Sequence, residues 1–398
     1  MREFPITDMD IPIDTQTTLV MLENNPGEVY RRLRQEMPIA RLKAIDRIVF
    51  TKAEDTYRVK TDFEHFGSFD TATPMQRAFG GHTLMRKDGC EHLRERQAME
   101  GAFELSLLCR QWKPEFERLT DRLIDKLVTQ ETADLLPALA VPLSAGYLKL
   151  LLGIGRVTDK KLFGWASALI RGAMNASFDP AIFDVSDQAN DEMNECFDQM
   201  IAKHMKIPDC SVLSMMVNQL DPIALSQIRT NMKICIGGAV IETRDALLST
   251  LYGLLSHPDQ LSYCRDQNVW GRACEEGLRW VAPIQVSPRL VKKSLIMRGI
   301  AIPKGETVMA IQASANHDEE VWDQPHRFSV HRDSHAHQTF GDGPHQCLGG
   351  DIYRLLISEI TLPKLFERFP ALSLNNKAAV SFRGFAFRGP TSLPVIFR

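Results

Sequence analysis

No stretch of this sequence approaches the roughly 18–20 consecutive apolar residues that a membrane-spanning helix needs, and the opening run Met1-Arg2-Glu3-Phe4-Pro5-Ile6-Thr7-Asp8 lacks the basic-then-apolar order of a secretory signal. Charge of one sign is lacking too. Lys and Arg number 47 against 50 Asp and Glu, a net charge of −3, which gives a nucleic-acid partner no footing. The eight cysteines are scattered without a single C-x-x-C pair, which excludes a zinc pattern and a disulfide framework and suits a reducing compartment. Gly/Ser linkers are few, and neither internal repeats nor low-complexity tracts occur. These absences lead us to expect a soluble, cytoplasmic, globular protein. Hydrophobic residues at 44% and charged residues at 24% are ordinary for that class. A length of 398 residues would by itself suit two or three domains.

Helical periodicity is what the chain does have. An amphipathic helix is expected over 26–35, with Val29, Tyr30 and Leu33 on one face, and another over 92–110. The apolar stretch 133–152 reads as a core helix. The segment 178–206, rich in Asp, Met and Phe, reads as a variable, partly exposed helix pair or loop. The longest helix is expected over 226–256, stopped by His257-Pro258 because proline cannot continue a helix and pushes its predecessor out of the α region. At 1.5 Å per residue it would span roughly 45 Å. A helix at 275–280 is followed by expected strands at 290–293, 299–303 and 307–312, and the tail 380–398 reads as a hairpin.

One run decides the functional reading: Phe340-Gly341-Asp342-Gly343-Pro344-His345-Gln346-Cys347-Leu348-Gly349. Gly341, Gly343 and Gly349 permit backbone angles and close approaches that a Cβ would forbid. A lone thiolate presented from such a loop suits the axial ligand of a haem iron. Every fixed position resembles the haem-ligand signature of the cytochrome P450 family, Phe-Gly-x-Gly-x-His-x-Cys-x-Gly. The other seven cysteines read as ordinary structural residues.

The resemblance implies one fold for the whole chain: mainly α, helix-rich with small β-sheets around a buried haem b, a single domain over 1–398 rather than the two or three that length suggests. Cys347 would be the metal ligand, with Phe340, Gly341 and Gly349 shaping its loop. Glu276-Gly277-Leu278-Arg279 resembles the family's Glu-x-x-Arg ion pair, in which Glu276 and Arg279 would join Arg327 and hold the cysteine loop; at i, i+3 the two side chains share one helix face. His92 and Arg96 match the family's His-x-x-x-Arg beside the haem. Arg289, His337 and His345 match other contacts to its propionates. The imidazoles of His331, His335 and His337 lack flanking ligands at a metal-site spacing and read as a solvated approach to the cysteine loop.

The oxygen-activating helix departs from the family's pattern. The usual acid–alcohol pair, which relays protons for dioxygen activation, is missing from Ile236-Gly237-Gly238-Ala239-Val240-Ile241-Glu242-Thr243. Two successive glycines cost helix stability of up to about 1 kcal/mol each and point to a close approach or a local bulge. Glu242 is the candidate proton donor, with Gly238 and Thr243 beside it; the bland alternative pairs Glu242 with Arg244 or Lys233 at the surface. This departure is also similar to the bacterial aryl-ether O-demethylases, as are Glu276-Gly277-Leu278-Arg279-Trp280, Ser314-Ala315-Asn316-His317-Asp318 and Phe387-Arg388-Gly389-Pro390-Thr391-Ser392. From that likeness Phe79 and Phe387 would line the substrate pocket, with Ala173 in place of a third phenylalanine enlarging it. Ala239, Ile284, Gln285 and Pro390 would complete the wall.

The function so implied is a haem-thiolate monooxygenase that hydroxylates or O-dealkylates a largely apolar organic substrate. Electrons would come from NAD(P)H through separate proteins, a ferredoxin and ferredoxin reductase or an equivalent flavoprotein, docking near Arg94, Arg332 and Arg354. The alternatives are a peroxygenase driven by hydrogen peroxide and a non-catalytic haem-binding sensor.

Overall fold

The computed structural model describes residues 10–69, 73–333, 336–375 and 379–398. The first eight residues and His335 therefore lie outside the described residues. The chain forms two compact units. One comprises Met1–Asp70, Glu275–Cys347 and Ser381–Pro390; the other comprises Thr71–Cys274, Leu348–Val380 and Thr391–Arg398.

The first unit is built on a six-stranded sheet. Its strands lie in the order Ile13–Asp14, Ile39–Leu42, Arg47–Phe50, Thr307–Ala310, Ser287–Val291 and Phe66–Gly67. Pairing alternates in sense: Arg47–Phe50 runs antiparallel to Ile39–Leu42 and parallel to Thr307–Ala310, which is in turn antiparallel to Ser287–Val291. One face of this sheet buries Ile48, Phe50, Phe66, Val291 and Val308, and the opposite face buries Ala40, Leu42 and Val49. The helix Pro26–Glu36 places Pro26 in its first turn, where the missing N–H costs nothing, and buries Val29, Tyr30 and Leu33 as their spacing predicts. The expected strands appear at Ser287–Val291, Ile300–Ile302 and Thr307–Ala310, with a further strand, Leu295–Met297, paired to Ile300–Ile302.

The second unit is helical. Several expectations need correction there. The segment read as a helix pair or loop is one helix, Pro180–Lys206, capped by the Asp179 carboxylate accepting from the Ala181 amide. Phe183, Ala189, Met193, Phe197 and Met200 bury one stripe of it; the many interspersed acids had masked that period. The expected helix 92–110 stops at Glu100 of the helix Gly89–Glu100, where Gly101 begins a tight turn. The stretch 133–152 opens as a strand, Thr132–Asp134, and its regular helix is Val141–Leu152. The tail is not one hairpin. Phe382–Arg383 pairs with Gly389–Pro390 in the first unit, whereas Pro394–Ile396 joins Thr132–Asp134 and Ser373–Leu374 in a three-stranded sheet of the second.

The helix expected over 226–256 is two helices, Leu225–Gly237 and Val240–Ser256. Gly238 (φ −111°, ψ 15°) and Ala239 (φ −135°, ψ −37°) leave the helical region between them. Two consecutive glycines supply the weak propensity that lets the ladder open. Gly237 is required for another reason. A Cβ there would lie 2.9 Å from Cζ of Phe79, so the ring edge takes the space a side chain would fill. Among the described residues no helix is long and apolar enough to cross a membrane.

Candidate active site

The loop that carries Cys347 belongs to the first unit. Gly341 (φ 72°) and Gly343 (φ 68°) both take left-handed backbone angles, and a Cβ on Gly343 would press within 3.1 Å of the Phe63 ring. Gly349, by contrast, has φ −80°, a value any residue adopts, so backbone conformation does not require a glycine there. The Cys347 amide donates to the Phe340 carbonyl at 2.8 Å, which closes the loop and turns the cysteine outward, exposed. His345 reaches the buried Ser68 hydroxyl at 2.9 Å.

Behind the loop stands a satisfied buried ion pair. The helix Trp270–Val281 presents Glu276 and Arg279 on one face, 5% and 1% exposed. Their fork-to-fork contacts measure 2.7 and 2.8 Å. Arg279 spends its other N–H groups on the carbonyls of Asn316 (2.9 Å) and Pro325 (2.8 Å). Glu276 accepts from the Ser329 amide (2.7 Å) and Arg332 Nε (3.1 Å). The third cation is thus Arg332, not Arg327: the Arg327 guanidinium turns outward to Gln324 and only its carbonyl meets Arg279. Arg332 is therefore tied inward and does not serve as a docking charge, whereas Arg94 and Arg354 are exposed and paired with Asp221 and Asp351. The cluster is wired to the cysteine loop through Asn316. Its side chain accepts from the Gln338 amide (2.8 Å) and donates to the Thr339 hydroxyl (2.9 Å), and the Gln338 carbonyl receives the Gly341 amide (3.0 Å).

Sequence reasoning missed a second brace. Lys60, 1% exposed at the end of the helix Ala53–Thr61, donates to Gln338 Oε1 at 2.7 Å and lies 2.5 Å from Asp342 in the loop itself. Burial pulls its ammonium down to about 8; Asp342 opposes the shift and the nearby Arg289 charge adds to it. Thr56, one turn earlier, also bonds Gln338 (2.8 Å). The only signal was a Thr-x-x-x-Lys pair on an otherwise buried helix face. Arg289 sits on the strand Ser287–Val291, half-buried, with one N–H on the Pro288 carbonyl. His337 faces Glu275 at 3.2 Å and accepts from the Thr339 amide on its other nitrogen.

Of the expected pocket walls in this unit, Ile284 and Phe387 meet in a β-bridge and Pro390 is buried in its short strand. Gln285 is consumed structurally: its amide nitrogen donates to the carbonyls of Val281 and Ala282, both at 2.6 Å, closing the end of the Trp270–Val281 helix.

The second unit holds the remaining candidates. His92 is buried and Arg96 half-buried on the helix Gly89–Glu100; Phe79 is 2% exposed against Gly237; Ala173 ends the helix Asp159–Ala173 half-buried. Glu242 lies in the first turn of Val240–Ser256, just past the break. Both its carboxylate oxygens are shut off from solvent, and among the described residues neither has a hydrogen-bond partner. Burial pushes the carboxyl up to about 8, and the open amides of Glu242 and Ile241 offset only part of that. The surface pairing considered from sequence does not form: Arg244 is held by Asp245 at 2.7 Å, and Lys233 makes no ion pair with Glu242. Thr243 turns its hydroxyl to Tyr147 at 2.8 Å, both side chains buried.

A family model for cytochrome P450 matches residues 269–378, which contain both the ion pair and the cysteine loop. The 6-deoxyerythronolide B hydroxylase of Saccharopolyspora erythraea is 30% identical over 291 residues, 71% of this chain and 70% of that protein. This chain belongs to the cytochrome P450 family. The steroid C26-monooxygenase of Mycolicibacterium smegmatis is 28% identical over 395 residues, covering 97% of this chain and 96% of its own. Among solved structures, P450BioI bound to acyl carrier protein ligated with hexadec-9Z-enoic acid shares the fold with a TM-score of 0.86 over 94% of this chain and 99% of that one, at 24% identity. The protein is a cytochrome P450 monooxygenase, and its cofactor is haem b. These names lend no support to the narrower expectation of an aryl-ether O-demethylase.

The residues present fit that cofactor. An outward cysteine on a loop freed of two Cβ atoms can meet a large flat ligand, and Arg289 beside Lys60 outnumbers the single Asp342 carboxylate, which suits an arriving propionate.

Proposed function

We propose that the chain, 1–398, acts as one cytochrome P450 domain that oxidises a largely apolar organic substrate, with Cys347 as the axial thiolate, Arg289, Arg96 and His345 (with His92) holding the haem periphery, and Glu242 supplying protons. A haem held by these residues would supply the dioxygen chemistry, and Cys347 would tune it as the iron's thiolate donor. The overall balance is one dioxygen, two electrons and two protons consumed, one oxygen atom placed in the substrate and the other released as water. The electrons come from NAD(P)H through a separate ferredoxin and its reductase or an equivalent flavoprotein, for which the exposed Arg94 and Arg354 offer steering charge.

The observation that carries the assignment to Glu242 is its pair of buried, unbonded carboxylate oxygens beside a helix break. With its pKa near 8 the group holds a proton at neutral pH and can donate it, the condition a general acid requires. Phe79, Ala173, Ala239, Ile284, Phe387 and Pro390 are proposed to keep the substrate apolar and water out. Gln285 is proposed to shape that wall from behind, its amide nitrogen being engaged. O-dealkylation of an aryl ether is one reaction this pocket would permit, alongside C-hydroxylation.

Glu242→Gln, assayed with NADH, redox proteins and a turned-over substrate, is expected to leave NADH consumption running while product per NADH falls about tenfold or more, within the range for loss of general acid catalysis. Unchanged coupling removes Glu242 from the mechanism. A second reading, peroxygenase chemistry, is favoured by the engagement of Thr243 with Tyr147, which leaves no free alcohol at that point of the helix. Turnover with hydrogen peroxide but none with NAD(P)H and redox proteins would establish it.

A further inference from the structure

The helix Leu225–Gly237 carries a lysine where its inward face should be apolar. Lys233 is 3% exposed, and among the described residues no carboxylate pairs with it. Arg229, one turn earlier, holds Asp198 through its Nε and Nη2, so that acid is already taken. Burial lowers the Lys233 ammonium to about 8; Arg229 lowers it further and Asp191 opposes weakly, so the group keeps its charge at neutral pH. Across from it stands Asn190 on the helix Pro180–Lys206, 7% exposed. Its amide nitrogen donates to the Ala78 carbonyl at 2.7 Å, but among the described residues its oxygen has no partner.

Gly80 separates the two. A methyl group placed there would lie 3.4 Å from Lys233 Nζ and 3.6 Å from Asn190 Oδ1. A methyl would thus touch both groups at ordinary contact distance, so the glycine leaves a gap about one methyl wide between an unfilled donor and an unfilled acceptor. Phe79 precedes Gly80, and its ring edge meets Gly237, one helical turn beyond Lys233. The cation therefore ends an apolar wall.

We propose that Lys233 and Asn190 form an anchoring subsite for a substrate carboxylate. The inference rests on the reading above of a haem-thiolate monooxygenase whose pocket wall includes Ala239 at the helix break. Lys233 pairs with the carboxylate, and Asn190 Oδ1 takes a hydrogen from the water that accompanies the head group. One buried cation matches a singly charged carboxylate, whereas a phosphate would leave most of its oxygens without donors. From Lys233 to Gly238 is five residues, so the oxidised carbon lies about 7–8 Å along the helix from the anchored head group.

The test uses haem-loaded protein and a series of ω-phenylalkanoic acids of increasing chain length, each against its methyl ester, with affinities from calorimetry and from the haem absorbance shift. A charge-assisted contact in a buried site predicts acids binding about 10- to 100-fold more tightly than esters at the best chain length. Lys233→Met is expected to erase the preference while leaving ester affinity in place, and Lys233→Arg to keep part of it. If no wild-type acid outbinds its ester, the space holds only water and the proposal falls, whatever the variants do. A preference that survives Lys233→Met also overturns it. Failure of the underlying reading is seen separately, as loss of the thiolate signature in the carbon monoxide spectrum of the same preparation.

Discussion

The Glu276–Arg279 cluster and the Glu242 helix break both bury acidic groups, yet they treat them in opposite ways. Around Glu276 every oxygen and nearly every guanidinium N–H has a partner, from Arg279, Arg332, Ser329, Asn316 and Pro325. Around Glu242 neither oxygen has one. A fully bonded buried charge is held still; its contribution is position. An unbonded buried carboxyl is held neutral, and what it offers is a proton. The same residue type serves as scaffold in one place and reagent in the other, and the local hydrogen-bond inventory tells them apart.

Breaking the scaffold side should have the largest effect. Glu276→Ala strands the Arg279 charge in the interior and is expected to cost about 3–5 kcal/mol, the penalty for leaving one member of a buried pair unpaired. Chemical denaturation reads the stability loss, and the cysteine loop should lose its ability to hold haem at the same time, because Asn316 links the two. A loss below about 1 kcal/mol would mean the cluster is not what holds the loop.

On the reagent side the expected effect is smaller and depends on pH. The folded protein keeps the Glu242 proton up to about pH 8, while an ordinary glutamate near 4.5 releases it. Between those values the folded state binds the proton that the unfolded chain has lost. Its contribution to stability is therefore present at low pH and declines as pH rises, by about 1.4 kcal/mol per unit. The stability difference between wild type and Glu242→Gln should shift by about 2–3 kcal/mol from near pH 6 to near pH 8, with wild type losing ground at the higher value. A difference that stays constant would mean that Glu242 is ionised in the fold.

The comparison also shows what was legible beforehand. The i, i+3 spacing of Glu276 and Arg279 declared itself, because helix geometry alone brings the two together. Their third partner did not. Arg332 reaches Glu276 across 56 residues of chain, and which arginine of the Arg327–Arg332 stretch turns inward depends on the path of an irregular loop. Gly341 and Gly343 were readable as backbone requirements, while Gly349 was not one. The pair Gly237-Gly238 signalled a close approach, but the approaching group is the protein's own Phe79. Lys60 left only the Thr-x-x-x-Lys spacing and Lys233 gave no signal, since a lysine's burial is set by distant elements rather than by its neighbours in sequence.

Gly237→Ala sharpens that point. A new methyl 2.9 Å from the Phe79 ring should cost about 1–3 kcal/mol, partly recovered by Phe79→Leu in the same chain. Additive effects would separate the two residues. The smallest change is expected from Arg327→Ala, within about 0.5 kcal/mol, since among the described residues its guanidinium bonds only an exposed Gln324 side chain.

The most direct test of the whole account is the carbon monoxide difference spectrum of dithionite-reduced, haem-loaded protein, wild type against Cys347→Ser. The wild type should give the red-shifted band of thiolate ligation and the variant should lose it. A wild type without that band, or a variant that retains it, would contradict the assignment of Cys347 as the iron's ligand.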